Sequence, residues 1–270
     1  MTKALETQDL RKSFGGVLVI DDLSIAVDEG EALGIVGPNG AGKTTWFNLI
    51  TGAVHADGGK VVFNGTDITR FSRHDRCRVG IGRTFQIPKP FVGMTVFENV
   101  LTAATQGRVK GERVRAVRAA QRSLHWSGWV RLFARAPKYG EKASYAKSIE
   151  CIEFAGLKDK VNTLAGSLTL LDRKRLELAR ALAVEPTLLL LDEIAGGLTE
   201  AEVQELIGEI RKLRATGITI VWIEHIVHAL LAVVDRIVVI QFGRKLCEGD
   251  PHEVMNSQEV QACYMGGTPA

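Results

Sequence analysis

The sequence is poor in cysteine: Cys77, Cys151, Cys247 and Cys263 stand far apart, with no C-x-x-C pair. That spacing indicates neither a disulfide framework nor a zinc site, and it fits a reducing, cytosolic compartment. The first residues, MTKALETQDLRKSF, lack an apolar stretch of signal-peptide length, so export is not expected. Long hydrophobic runs are missing too. The most apolar window, Gly217 to Val234, is broken by Glu224, His225 and His228, whereas a spanning helix needs about 20 largely uncharged residues. No segment is therefore expected to cross a membrane unaided, and there is no internal repeat or low-complexity tract.

What is present is the balance of an ordinary globular protein, with 46% hydrophobic and 24% charged residues. At 270 residues, roughly 1.8 domain equivalents, the chain suits one large domain or a core carrying an inserted subdomain. The net charge of +3 would argue against a strongly polyanion-binding protein, and no nucleic-acid partner is expected. That average hides an asymmetry. Between Arg108 and Lys147 eleven basic residues face only Glu112 and Glu141, about +9, which leaves about −6 for the remainder.

Residues from about 5 to 36 alternate short apolar runs with turn signals and read as several strands, the last entering a glycine-rich loop. A helix is expected from Lys43 to near Gly52, followed by a strand in GGKVVFNG. From Thr95 to about Leu157 the character turns helical. Val114, Val117 and Leu124 recur at helical spacing, and Arg115, Arg118 and Arg122 form a separate stripe. After Leu168 a helix runs to Glu185-Pro186. TLLLLDE then reads as a short buried parallel strand, because four to eight apolar residues closed by acids suit that better than a helix. A helix from Glu200 to Ala215, the strand ITIVWI, a further helix and a hairpin turning at Phe242-Gly243 complete the pattern.

The strongest local motif is Gly37-Pro38-Asn39-Gly40-Ala41-Gly42-Lys43-Thr44, a G-x-x-x-x-G-K-[ST] phosphate loop between a strand and a helix. Its glycines let backbone N–H groups point at phosphate oxygens, and the helix N-terminus adds partial positive charge. Lys43 can neutralise the β- and γ-phosphates, and the Thr44 hydroxyl can ligate Mg²⁺. The bland alternative is a glycine turn before a helix. A second motif ends the buried strand at Asp192-Glu193, where the first acid can hold Mg²⁺ and the next can orient or deprotonate an attacking water.

With these motifs in place, the chain resembles the ATP-binding cassette family over nearly its whole length. The resemblance implies a P-loop NTPase fold of α/β class, with an antiparallel β lobe and an inserted helical subdomain. It also implies ATP and Mg²⁺ as cofactors. It assigns Phe14 to stacking on adenine and Gly37 to Thr45 to the phosphates. Gln86 in GRTFQ would sense Mg²⁺ and the lytic water, Thr44 and Asp192 would serve the metal, and Glu193 would be the catalytic glutamate. His225 in WIEH matches the switch histidine; taken alone it would more often be a core histidine. FGGVLVIDDLS, GPNGAGKTTWFNLITG, IGRTFQIPKPFVGMTVFENV and IEH look like the ATP-binding subunits of branched-chain amino acid importers. Urea-import and lipopolysaccharide-export subunits share much of this.

Departures from the family pattern concentrate in its signature, usually Leu-Ser-Gly-Gly-Gln, where this chain has Leu168-Thr169-Leu170-Leu171-Asp172. In the family that segment reaches across a head-to-tail dimer to the γ-phosphate. The leucines hinder such an approach, and Asp172 either adds charge near phosphate or simply caps the next helix. Ile194 replaces a common proline, and Thr199 stands where the family often has Asp or Asn. The expected divisions are 1–86 for the β lobe and phosphate loop, 87–165 for the helical subdomain, 166–250 for the rest of the core and 251–270 for a C-terminal helix and tail. The implied partners are two transmembrane permeases, a second cassette and, indirectly, a substrate-binding protein, at the cytoplasmic face of the inner membrane. The basic insert is either a solvated helical face or a surface toward lipid or permease. Two other functions stay open: a soluble cassette protein of DNA repair or translation, and a nucleotide-binding subunit of low turnover.

Overall fold

In the computed structural model the described residues are 2–105 and 141–265. They divide into two compact units, one drawn from residues 2–76, 83–88 and 187–265, the other from residues 77–82, 89–105 and 141–186.

The first unit carries two sheets. Strands β1 (Lys3–Phe14), β2 (Val17–Asp28), β4 (Gly58–Phe63) and β5 (Thr66–Asp67) form an antiparallel sheet in the order β2-β1-β4-β5. Along β2, Leu23, Ile25 and Val27 are buried while Asp22 is exposed and Ser24, Ala26 and Asp28 are half-exposed, the alternation expected of a sheet with one wet face. The second sheet is built on β3 (Ala32–Val36), β7 (Leu188–Asp192), β8 (Thr219–Ile223) and β9 (Arg236–Gln241). Its order is β10-β9-β3-β8-β7-β6, with β6 (Ile81–Arg83) and β10 (Arg244–Gly249) at the edges. The pairs β3–β8, β3–β9 and β7–β8 are parallel, and every residue of β3, β7 and β8 is buried. LLLLD thus behaves as the fully covered parallel strand that its unbroken apolar run suggests.

Helix α1 (Lys43–Ile50) starts at Gly42, and its Trp46 is fully buried, with Nε1 donating to Thr7 Oγ1 at 3.2 Å. That bond ties the helix after the glycine loop to the antiparallel sheet. The helix stops where Arg76, at 2% exposure in α2 (Arg73–Val79), donates to the carbonyls of Leu49 and Ile50 and to those of Thr69 and Phe71. The last carbonyls of a helix have no intrahelical partner, and a buried guanidinium supplies five donors at one point. Burial lowers the Arg76 pKa to about 10. The hairpin β9–β10 turns at Phe242 and Gly243, both left-handed, as expected.

The second unit is helical, with α3 (Val96–Ala104), α4 (Glu141–Phe154) and α5 (Leu170–Ala183) packed together. Thr95 caps α3 in a reciprocal box with Glu98. Buried Asn99 clamps the preceding loop, accepting from Phe91 N–H at 2.8 Å and donating to the carbonyls of Phe91 and Thr95. Most of the basic insert, including Val114, Val117, Leu124, Arg115, Arg118 and Arg122, lies outside the described residues. Lys147 lies within them and pairs with Glu150 at 3.1 Å. In the first unit, α6 (Glu200–Arg214), α7 (Val227–Leu231), α8 (Pro251–Asn256) and α9 (Gln258–Met265) complete the elements named here. Among the described residues, no helix is long and apolar enough to cross a membrane.

Candidate active site

The site forms where parallel strands end. Strand β3 feeds the loop Gly37–Gly42, whose three glycines all take positive φ: 150° at Gly37, 81° at Gly40 and 103° at Gly42. At Gly37 a side chain is excluded outright, since a Cβ would stand 2.1 Å from the Ile240 carbonyl oxygen. Gly40 faces open space, with Asn39 beside it exposed. Lys43 opens α1, and its Nζ donates to the carbonyls of Gly37 at 2.7 Å and Pro38 at 3.0 Å. Burial lowers the Lys43 pKa, and the nearby charges of Glu193 and Asp192 oppose that shift. Thr44 is exposed and Thr45 half-buried, so both hydroxyls stand at the first turn of the helix below the loop.

Strand β7 delivers the two acids. Asp192 lies in register with Ile223 of β8, and its carboxylate is paired with Arg83 at 2.6 Å. Burial raises the Asp192 pKa, and the hydrogen bond and charge of Arg83 hold the rise in check. Arg83 is fixed in turn by Asn48 Oδ1 at 2.7 Å and by its position over the Phe47 and Phe85 rings. Sequence reasoning passed over Arg83. The available signal was a cationic residue three positions before Gln86 in GRTFQ.

Glu193 takes φ 47°, a conformation that costs a non-glycine residue about 1–3 kcal/mol and persists where surrounding structure enforces it. Its amide donates to the Ile223 carbonyl at 2.8 Å. Its carboxylate is bracketed: Gln86 Nε2 donates to Oε2, and His225 Nε2 stands 3.0 Å from Oε1. Three residues drawn from distant parts of the sequence, Gln86, Glu193 and His225, therefore meet at one carboxylate. Phe14, the last residue of β1, shows 48% of its surface, and the Lys12 ammonium lies 5.4 Å from its ring centre.

A glycine cradle over a lysine, backed by two acids at the end of a buried strand, is an arrangement for holding and cleaving a polyphosphate. Residues 20–196 match the family model described as ABC transporter, more than half of the chain. The chain belongs to the ABC transporter family. It is an ATPase of that family, whose cassettes bind nucleotide and hydrolyse ATP to power transport. It is 33% identical over 265 residues to the high-affinity branched-chain amino acid transport ATP-binding protein BraF of Pseudomonas aeruginosa, covering 97% of each. It is 34% identical over 267 residues to the corresponding protein LivG of Salmonella typhimurium, again covering 97% of each. An ATP-binding cassette of an ABC transporter solved in its ADP conformation superposes with a TM-score of 0.80 at 30% identity, covering 98% of this chain and all of that one.

The signature positions belong to the helical unit. Thr169, not Asp172, is the N-cap of α5: its Oγ1 accepts from the Asp172 amide at 3.2 Å. Asp172 is the third residue of the helix and is buried. Its Oδ2 accepts from Thr169 Oγ1 at 2.8 Å and from Lys160 Nζ. Burial pushes the Asp172 pKa up, yet the hydrogen bonds from Lys160 and Thr169 prevail and hold it below the usual carboxylate value. Leu171 is buried, whereas Leu170 is 44% exposed. Thr199 also acts as a cap, forming a reciprocal box with Glu202 at the start of α6.

Proposed function

We propose that this chain is the ATP-hydrolysing subunit that energises import of branched-chain or related amino acids. It would work with two permeases and a second cassette at the cytoplasmic face of the inner membrane, a substrate-binding protein supplying the cargo. The names of its relatives support the substrate class. Urea or amide import and lipopolysaccharide export are the alternative cargoes. The observation that carries the chemistry is the Glu193 carboxylate held between Gln86 and His225.

In this reading the loop amides of residues 37–42 and Lys43 hold the phosphates, with Thr44 and Thr45 beneath them and Phe14 against the base. Glu193 accepts a proton from the attacking water as general base. Gln86 and His225 fix the carboxylate so that it points at one place rather than sampling several. The residues that would hold Mg²⁺, Thr44 through its hydroxyl, Asp192 through its carboxylate and Gln86 through its amide oxygen, offer oxygen alone, with a single carboxylate among them. That set suits Mg²⁺, which keeps waters and phosphate oxygens around it. When bound, Mg²⁺ would neutralise charge developing on the phosphates.

Reconstitution with its permeases in vesicles tests the substrate class. ATP hydrolysis stimulated by leucine, isoleucine or valine with their binding protein supports the reading. Stimulation by urea alone, or by none of these, contradicts it.

A second reading, low turnover at one of two composite sites, is favoured by the exposed Leu170 and by Leu171 beside it, where the family places glycines. Its test is a heterodimer in which each subunit's phosphate-loop lysine is removed in turn. Unequal losses support asymmetry, and equal losses oppose it.

A further inference from the structure

Glu224 directly follows the buried strand β8 and is itself 2% exposed. An isolated buried carboxylate is costly, so its partners matter. Oε1 accepts from the amide of His225 at 2.9 Å, and Oε2 accepts from the amide of Ala195 at 3.0 Å. One side chain thus joins the residue that touches the Glu193 carboxylate to the turn that begins at Glu193.

That turn needs support. Glu193 is left-handed, its carbonyl accepts from Gly196 at 3.3 Å, and the Ala195 carbonyl accepts from Leu198 at 3.3 Å. These last two bonds are long for N–H···O contacts. The charge-assisted bond from Ala195 to Glu224 is the shorter anchor on the same stretch. Just past the end of β8, Glu224 is buried while the His225 side chain is 37% exposed, so the acid can hold the backbone while the imidazole reaches the Glu193 carboxylate.

We infer that Glu224 is a positioning residue for ATP hydrolysis, fixing His225 and the Glu193 turn as one unit through two backbone amides. The inference rests on the reading of Glu193 as general base. A glutamine at 224 has the same shape but a single acceptor oxygen, so it satisfies only one amide and sets an NH₂ donor against the other.

The test is steady-state ATPase kinetics of the full chain as Glu224→Gln, Glu193→Gln and the double variant, with ATP affinity and thermal midpoint measured on each. Displacing a catalytic group by about 1 Å can cost about 100-fold. The expected result for Glu224→Gln is a kcat lower by about 10- to 100-fold with KM for ATP close to wild type, alongside a lowered midpoint because one buried amide loses its acceptor. In the Glu193→Gln background the same change should add almost nothing, because its effect passes through Glu193. Wild-type kcat in Glu224→Gln, or a full multiplicative loss in the double variant, overturns the inference. If Glu224→Gln does not fold, Glu224→Asp keeps the charge but withdraws the carboxylate by one methylene, and the same split of kcat from KM is expected. Failure of the underlying reading looks different: Glu193→Gln itself would turn over at the wild-type rate.

Discussion

Arg83 and Asp192 form an ion pair that almost no water reaches, with Nη2 2.6 Å from Oδ2 and side chains 7% and 4% exposed. The pair connects the segment leading to Gln86 with the end of the strand that delivers Glu193. Such pairs gain little net stability over apolar replacements, yet stripping one partner leaves an uncompensated charge and costs about 3–5 kcal/mol. Arg83→Met should therefore destabilise the protein by about that amount in urea denaturation. Adding Asp192→Asn should recover part of the loss, because the orphaned charge is gone. Simple addition of the two losses would contradict a direct coupling.

Gly37→Ala should abolish nucleotide binding or prevent folding altogether. The new methyl would meet the Ile240 carbonyl oxygen at 2.1 Å and its carbonyl carbon at 3.1 Å, backbone atoms that cannot swing aside as a flexible side chain would. Gly40→Ala meets nothing within 4 Å and strains only the local backbone at φ 81°, so the fold should survive it. Parallel thermal melts of the two variants distinguish them.

Asp172 should contribute to acid sensitivity. Its folded pKa lies below the ordinary value of 3.8, so its stabilisation is fully present above that value and is lost as pH falls through the folded pKa. Asp172→Asn should therefore flatten the pH dependence of stability below about pH 4. At neutral pH it should cost about 1–2 kcal/mol, at the low end for a charged hydrogen bond because Lys160 is half in solvent. An unchanged acid limb in pH-dependent denaturation would contradict this account.

Thr199→Ala removes the cap of α6 and should cost about 1 kcal/mol in chemical denaturation. Thr199→Asn, which restores a capping side chain and matches the family's commoner residue, should recover most of it.

These contrasts bear on how much the amino-acid order revealed. The glycine loop and the LLLLDE strand could be read directly, because their chemistry and their burial pattern are both local. His225 was legible only through its neighbours Ile223 and Glu224 and the family likeness. Arg83, Arg76 and Glu224 were not assigned roles, because each acts on backbone or carboxylate groups distant in sequence. The carboxylate that Arg83 pairs with is 109 positions away, and the Ala195 amide that Glu224 holds is 29 positions away. A charged residue bordering a fully apolar strand is the recoverable signal for Glu224: in water such a residue needs no partner, and when buried it must have one. At the signature, the reading of Asp172 as the cap gives way to Thr169, which holds the cap, with Lys160 paired to the acid.

The central claim is that Glu193 activates water for ATP hydrolysis. It is tested most directly by the turnover of Glu193→Gln beside the wild type, with ATP binding measured on both. The account predicts a fall in kcat of at least about 100-fold, at the lower end of general-base contributions, with ATP affinity retained. Turnover equal to wild type in a folded, ATP-binding Glu193→Gln protein would contradict it.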